Sequence, residues 1–178
     1  LVGDTPVENF PVRFAAVATD LQSARPVLLE HGPAGRVIQA SAAVPGAQVP
    51  VGYGKGRPEG EGHLIDGGIT SLVPVRFARA MGADVVIAVD IYCQGPRAAA
   101  LNMLSVLGKV MQAQSCLIAA PEMAEADVLI APVVEVPGMS DGPSQEQAIA
   151  AGHAATRAAL ETWRPTSLVP DGKLALSR

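Results

Sequence analysis

Apolar positions along this chain fall in short runs separated by turn-forming residues. "FAAVAT" over 14–19 predicts a buried strand ended by Asp20, and "RPVLLE" over 25–30 predicts a second strand, the two joined as a hairpin. "AGRVIQASAAVPG" over 34–46 carries a short helical pattern that Pro45 and Gly46 end. The following stretch to residue 62 is so rich in Gly, Pro and charge that it reads as an exposed loop. "HLI" over 63–65 returns to apolar residues before Asp66-Gly67-Gly68, and "VPVRFARAMG" over 73–82 predicts a short helix with Pro74 in its first turn and Gly82 just past its end.

"ADVVIAVDI" over 83–91 is a continuous Val/Ile run of the kind buried on both faces of a parallel sheet, so strand, turn, helix and strand suggest a βαβ unit. A stretch from 97 to 120 has helical periodicity. "ADVLIAPVVEV" over 126–136 predicts another buried strand, which Pro132 shortens or pushes to an edge, and 143–163 predicts a closing helix. Residues 164–178 read as a loosely attached tail, which leaves 1–163 as one unit. Alternating strands and helices predict an α/β fold, in which chemistry gathers beyond the carboxyl ends of the strands. Asp66 and Asp90 both stand at such ends.

Composition narrows the function classes. A chain of 178 residues, 49% hydrophobic and 17% charged, can bury one substantial core, and with 3% aromatics that core must be built from Ala, Val, Leu and Ile. A net charge of −4 without a basic stripe gives no electrostatic reason to expect nucleic acid. No apolar stretch is long enough to cross a bilayer, and no signal-peptide pattern opens the chain. Cys93 and Cys116 are too few for a disulfide scaffold and are expected as two buried free thiols. The chain starts at Leu1 and enters a folded-looking segment almost at once, so a missing upstream segment is expected.

Candidate chemistry begins with decoys. "GMSDG" over 138–142 matches the G-x-S-x-G pattern of serine hydrolases, but Pro137 and Pro143 bracket it, so Ser140 fits a loop with a helix cap better than a strand-to-helix elbow. "GYGKGRPEG" over 52–60 fits neither phosphate-loop spacing, and Pro58 removes an amide that a cradle would use. His31, His63 and His153 share no metal-binding spacing, and Asp90 is expected to cap local backbone. Asp66-Gly67-Gly68 is by itself a turn signal, because Asp tolerates unusual backbone angles and Gly has no Cβ.

Taken together, "PVRFAAVATDL", "VIQASAAVPG", "HLIDGGITSLVPVRFARAMGADVVIAVDI" and "ADVLIAPVV" resemble, in order, the latter part of a bacterial patatin-like phospholipase. The resemblance implies a three-layer α/β/α fold, incomplete here at its N-terminal side, and a hydrolase that cleaves acyl esters of lipids with a Ser-Asp dyad and no metal or organic cofactor. It places Asp66 as the dyad aspartate, with Gly67 and Gly68 as the supporting turn. Ser41 and Pro45 fall in a block, A-S-x-x-x-P in the family, that here reads Ala40-Ser41-Ala42-Ala43-Val44-Pro45.

The family's glycine-rich oxyanion loop and G-x-S-x-G elbow lie ahead of this region and are absent, and Ser140 comes after the aspartate, in the wrong order to inherit the nucleophile's role. This chain alone is therefore expected to be inactive. Its implied partners are a lipid or acyl-ester substrate and the missing upstream segment, with a peripheral membrane contact and self-association left open. The compartment is also open, the cytoplasm leading over the periplasm and secretion. The rival expectation is a non-catalytic α/β module that binds acyl chains or a protein.

Overall fold

In the computed structural model of this chain, residues 3–54, 61–94, 102–134 and 142–163 are described. They form a mixed α/β structure with two sheets. The first is antiparallel, in the order β2-β1-β4-β3, from β1 (Ala16–Asp20), β2 (Arg25–Leu29), β3 (Val51–Tyr53) and β4 (Gly62–Asp66). The second pairs β5 (Ile87–Val89) with β6 (Val128–Ile130) in parallel. Helices α1 (Ala34–Ser41), α2 (Val75–Ala80), α3 (Met103–Met123) and α4 (Gly142–Thr162) complete the described elements.

The hairpin β1–β2 forms as the sequence predicts, in register Ala18↔Val27. Asp20 makes its turn: Oδ1 accepts from Gln22 N at 2.7 Å and Ser23 N at 3.2 Å, a local bond that competes with further extension. Pro26 is tolerated because β2 is an edge strand. Helix α1 ends at Ser41, ahead of Pro45, and packs Ala40 onto Ala18, Val51 and Leu64 of the sheet. Val7, Ala34 and Val37 continue this small-residue core on the N-terminal side.

Three expectations change. Strand β3 lies inside the stretch expected to be a loop; its pairing Val51↔Leu64 and Tyr53↔Gly62 is long-range, so local composition could not announce it. The Tyr53 ring covers Gly62, where a Cβ would come within 2.2 Å of Tyr53 Cε1, and the Tyr53 hydroxyl bonds Asp20 at the far end of β1. The predicted βαβ unit is not formed by β4, α2 and β5, since β4 belongs to the antiparallel sheet; the parallel pair is β5 and β6, connected through α3. Nor is β5 buried on both faces. Val86 and Ala88 enter a second core with Val73, Val75, Ala119 and Met123, while Val85, Ile87, Val89 and Ile91 on the alternate positions are exposed.

The second core is braced at its edge by charge. Arg79 of α2 donates to the carbonyl of Asp84 at 2.7 Å and to Asp127 Oδ2 at 2.6 Å, and the same oxygen accepts from Val86 N at 2.7 Å. The Val86 amide, and then the Arg79 guanidinium, hold the Asp127 carboxyl below its usual range. A carboxyl lowered in the folded state contributes stability that is present above its unfolded pKa and lost as pH falls through the folded one. Asp127→Asn should therefore be less stable than the parent at neutral pH, with the gap closing as pH falls below the ordinary carboxylate range. Urea unfolding at a series of pH values measures this; a gap that stays constant into acid would refute the assignment.

Helix α3 continues past the expected end at Ala120, through Pro121, to Met123. A proline inside a helix costs about 3 kcal/mol. Here the turn that contains it buries Met123 in the second core and gives the buried Glu122 three polar contacts, described below, which offset that cost.

The two cysteines are not free thiols. Cys93 and Cys116 form a disulfide with Cα atoms 5.6 Å apart, linking the segment after β5 to α3. Their separation of 23 residues hid the pairing in sequence; the loop after β5 and the back-packed helix bring them together. Closing a loop of this length stabilises by about 3 kcal/mol, chiefly through the unfolded chain. The Gly-rich stretch at 55–60, the tail at 164–178 and Ser140 of the G-x-S-x-G decoy lie outside the described residues.

Candidate active site

Asp66 is the last residue of β4 and caps a 3-10 turn, Gly67–Ile69. Its backbone is held on both sides. Asp66 N donates to Ala43 O beyond α1 at 3.0 Å, and its carbonyl accepts from Thr19 Oγ1 of β1 at 2.9 Å. Thr19 is buried and also bonds Thr70 Oγ1 at 2.8 Å, which ties the exit of the turn back to the central strand. Thr70 N and Ser71 N both donate to Gly67 O, closing the turn on itself.

The side chain is half-buried. Oδ1 accepts from Gly68 N at 2.7 Å, and among the described residues nothing donates to Oδ2. The carboxylate borders a cavity of about 240 Å³ lined by Val17, Ser41, Gly67, Gly68, Ser71, Leu72 and Pro74. One oxygen is thus committed to fixing the carboxylate, and among the described residues the other accepts no hydrogen bond.

Both glycines have steric reasons. A Cβ on Gly67 would lie 2.1 Å from Val17 O and 2.7 Å from Val17 C, inside the backbone of β1. On Gly68 it would meet Asp66 Oδ1 and Leu72 Cδ1, each at 2.9 Å. The first glycine lets the turn lie flat on the central strand, and the second leaves room for the carboxylate to fold back onto its own turn.

The serines at this cavity already have acceptors. Ser41 Oγ donates to Val17 O at 2.7 Å, and Ser71 Oγ donates to Glu122 Oε2 at 2.9 Å. Neither presents its proton to Asp66. Ser41 was legible only as part of a sequence block, while Ser71 and Glu122 carried no signal in sequence: they come together across 51 residues through the packing of α3 on the turn. His63 is exposed on β4 and takes no part in the cavity.

Asp90, the other strand-end carboxylate, is buried and caps as expected: Oδ1 accepts from Tyr92 N at 3.0 Å and Cys93 N at 2.9 Å. A wider depression of about 660 Å³ runs along α4, but all of its lining residues come from that helix, among them His153, Arg157 and Glu161. Among the described residues no cluster of His, Cys, Asp and Glu could hold a metal ion, and no helix is long and apolar enough to cross a membrane.

An α/β chain with a strand-end aspartate held in a cavity by a glycine turn is the class that fold and site define. Its homologues are NTE-family and patatin-like phospholipase proteins. It is 36% identical over 92 residues to an uncharacterized NTE family protein of Mycobacterium tuberculosis, a match covering 51% of this chain and 24% of that protein. It is 33% identical over 89 residues to patatin-like phospholipase domain-containing protein 7 of Rattus norvegicus and to lysophospholipase NTE1 of Yarrowia lipolytica, in each case about half of this chain and 6% of the relative. The match thus spans at most about a quarter of these relatives' lengths. No family model matches the chain. The expected resemblance to part of the patatin-like phospholipases agrees with these relatives.

Proposed function

We propose that this chain supplies the base of an acyl-ester hydrolase of patatin type, acting on phospholipid or lysophospholipid, in which Asp66 accepts the proton of a serine contributed by polypeptide upstream of Leu1. A serine hydroxyl is a weak nucleophile at neutral pH until a base removes its proton during attack on the acyl carbonyl. The observation that carries this reading is the state of Asp66: Oδ1 fixed by Gly68 N, Oδ2 free among the described residues, and both at a cavity. The engagement of Ser41 and Ser71 with other acceptors supports an alcohol from elsewhere. The names of the relatives support the substrate class, and their greater length supports a further segment.

The three-layer sandwich belongs to the same proposal. The exposed stripe Val85, Ile87, Val89 and Ile91 supports a covering layer on β5 that the described residues do not provide. That stripe also favours a second reading, a non-catalytic module whose uncovered strand recruits a partner. Turnover of a short-chain chromogenic ester separates the two. The hydrolase reading expects hydrolysis by a polypeptide that extends upstream through a G-x-S-x-G segment, abolished by Asp66→Asn. Hydrolysis indifferent to that substitution would sink it.

A further inference from the structure

Helix α3 is held at its two ends by different means. At its C-terminal end Ala119, Glu122 and Met123 are buried. Upstream of them Met103 is 91% and Leu117 75% exposed, and Leu107 and Ile118 are exposed as well. Among the described residues, two ties connect this upstream stretch to the rest of the fold through bonds: the Cys93–Cys116 disulfide, and Gln112 Nε2 donating to Tyr92 O at 2.8 Å. Both reach the same short segment behind β5, whose shape is set by the buried Asp90 accepting from the amides of Tyr92 and Cys93. The bridge therefore fastens the loosely packed part of α3 to a rigid anchor.

The far end of the same helix is bonded to one wall of the Asp66 cavity. Glu122 Oε2 accepts from Ser71 Oγ, which lines the cavity, and Oε1 accepts from Arg76 N at 3.2 Å, with Arg76 Nε 3.6 Å away. Ser71 N in turn closes the turn on Gly67 O at 2.9 Å. From Cys116 to Glu122 is less than two turns of helix, about 9 Å, so the bridge lies close to the contacts that Glu122 makes.

We propose that the Cys93–Cys116 disulfide regulates the Asp66 cavity, its reduction loosening α3 and, through Glu122, the segment 71–76 whose Ser71, Leu72 and Pro74 form one wall. Both sulfur-bearing residues are half-buried, and their neighbours Tyr92 and Leu117 are exposed, so a small dithiol can reach the bond. One thiolate of the dithiol attacks a bridge sulfur, the S–S bond breaks, and a mixed disulfide forms. The reductant's second thiolate then displaces the protein sulfur. The protein ends with two thiols, having gained two electrons and two protons, and the dithiol leaves as its own cyclic disulfide. The consequence for turnover rests on the hydrolase reading above; the consequence for the cavity wall does not.

Hydrogen–deuterium exchange of this chain, resolved by peptide, tests it before and after native treatment with dithiothreitol. Reduction should accelerate exchange by on the order of a hundredfold over 102–118, the fold-change that corresponds to releasing a loop of this length. It should also accelerate 67–76 by about tenfold or more, since that wall opens with the helix. The double variant Cys93→Ser/Cys116→Ser should match the reduced protein and ignore the reductant. Glu122→Gln should loosen 67–76 while the bridge is intact and leave 102–115 unchanged. Unchanged exchange at 67–76 on reduction overturns the proposal, as does recovery of Cys93 and Cys116 as free thiols from material alkylated during purification. In the longer, ester-hydrolysing polypeptide, oxidised enzyme should outpace reduced enzyme. No turnover in either state, with the exchange difference intact, would remove the hydrolase reading and leave the regulated wall standing.

Discussion

Gly67→Val should destabilise the fold by about 3 kcal/mol or more, the upper end of what forced overpacking costs. The reason is what a side chain would strike. Its Cβ would sit 2.1 Å from Val17 O, and Val17 belongs to β1, which is hydrogen-bonded to β2 on one side and β4 on the other. That carbonyl also accepts from Ser41 Oγ at 2.7 Å, so the strand cannot retreat without breaking the tie to α1. For a chain of this length such a cost lowers Tm by roughly 6–12 °C.

Gly68→Ala provides the contrast. Its obstacles, Asp66 Oδ1 and Leu72 Cδ1 at 2.9 Å, are ends of side chains that can swing aside. Its cost should stay near about 1 kcal/mol, while the carboxylate is pushed off its cap. Thermal unfolding followed by circular dichroism compares the two, and equal melting temperatures would show that the close approach to β1 is not what demands glycine at 67.

This contrast marks the boundary of what the sequence reveals. Features whose cause is local were legible. Asp20 ends β1 because its own carboxylate binds the next amides, and α2 stops at Gly82, whose φ of +91° suits glycine. The turn at Asp66-Gly67-Gly68 was legible for the same reason, and so was the capping by Asp90. Features whose cause lies across the chain were not. Val51–Tyr53 becomes a strand only because Gly62–Leu64 arrives beside it, and no local pattern says that a Gly-rich stretch will be paired.

The same holds for sheet membership. "HLID" and "VIAV" look alike as apolar runs, yet one is antiparallel to β1 and the other parallel to β6. A continuous apolar run implies burial on both faces, whereas the described residues leave Val85, Ile87, Val89 and Ile91 exposed. The period of the pattern reports which residues are apolar, not which surface arrives to cover them. At the site, the acid was legible and its surroundings were not: Ser41 and Ser71 line the cavity, each bonded to a partner remote in sequence, Val17 O and Glu122.

Asp66→Asn should separate chemistry from structure in the longer hydrolase. The amide oxygen of Asn can still accept from Gly68 N, and Asn caps a turn about as well as Asp, so stability should stay within about 1 kcal/mol of the parent. The amide cannot take a proton from an alcohol at neutral pH, and loss of a positioned general base typically costs 10²–10⁴-fold, so kcat for ester hydrolysis should fall by roughly that factor. Asp66→Ala removes the cap as well as the base. It should lose the same activity and, in addition, about 1 kcal/mol of stability.

The pair of variants is more informative than either alone, because Oδ1 and Oδ2 are given different tasks by the geometry: one is bonded to Gly68 N and the other is free among the described residues. Asn preserves the first task and abolishes the second; Ala abolishes both. If Asn and Ala were equally destabilising, the bond to Gly68 would not be what fixes the carboxylate. If Asn kept its turnover, the free oxygen would not be the proton acceptor, and the base would have to be sought outside this turn.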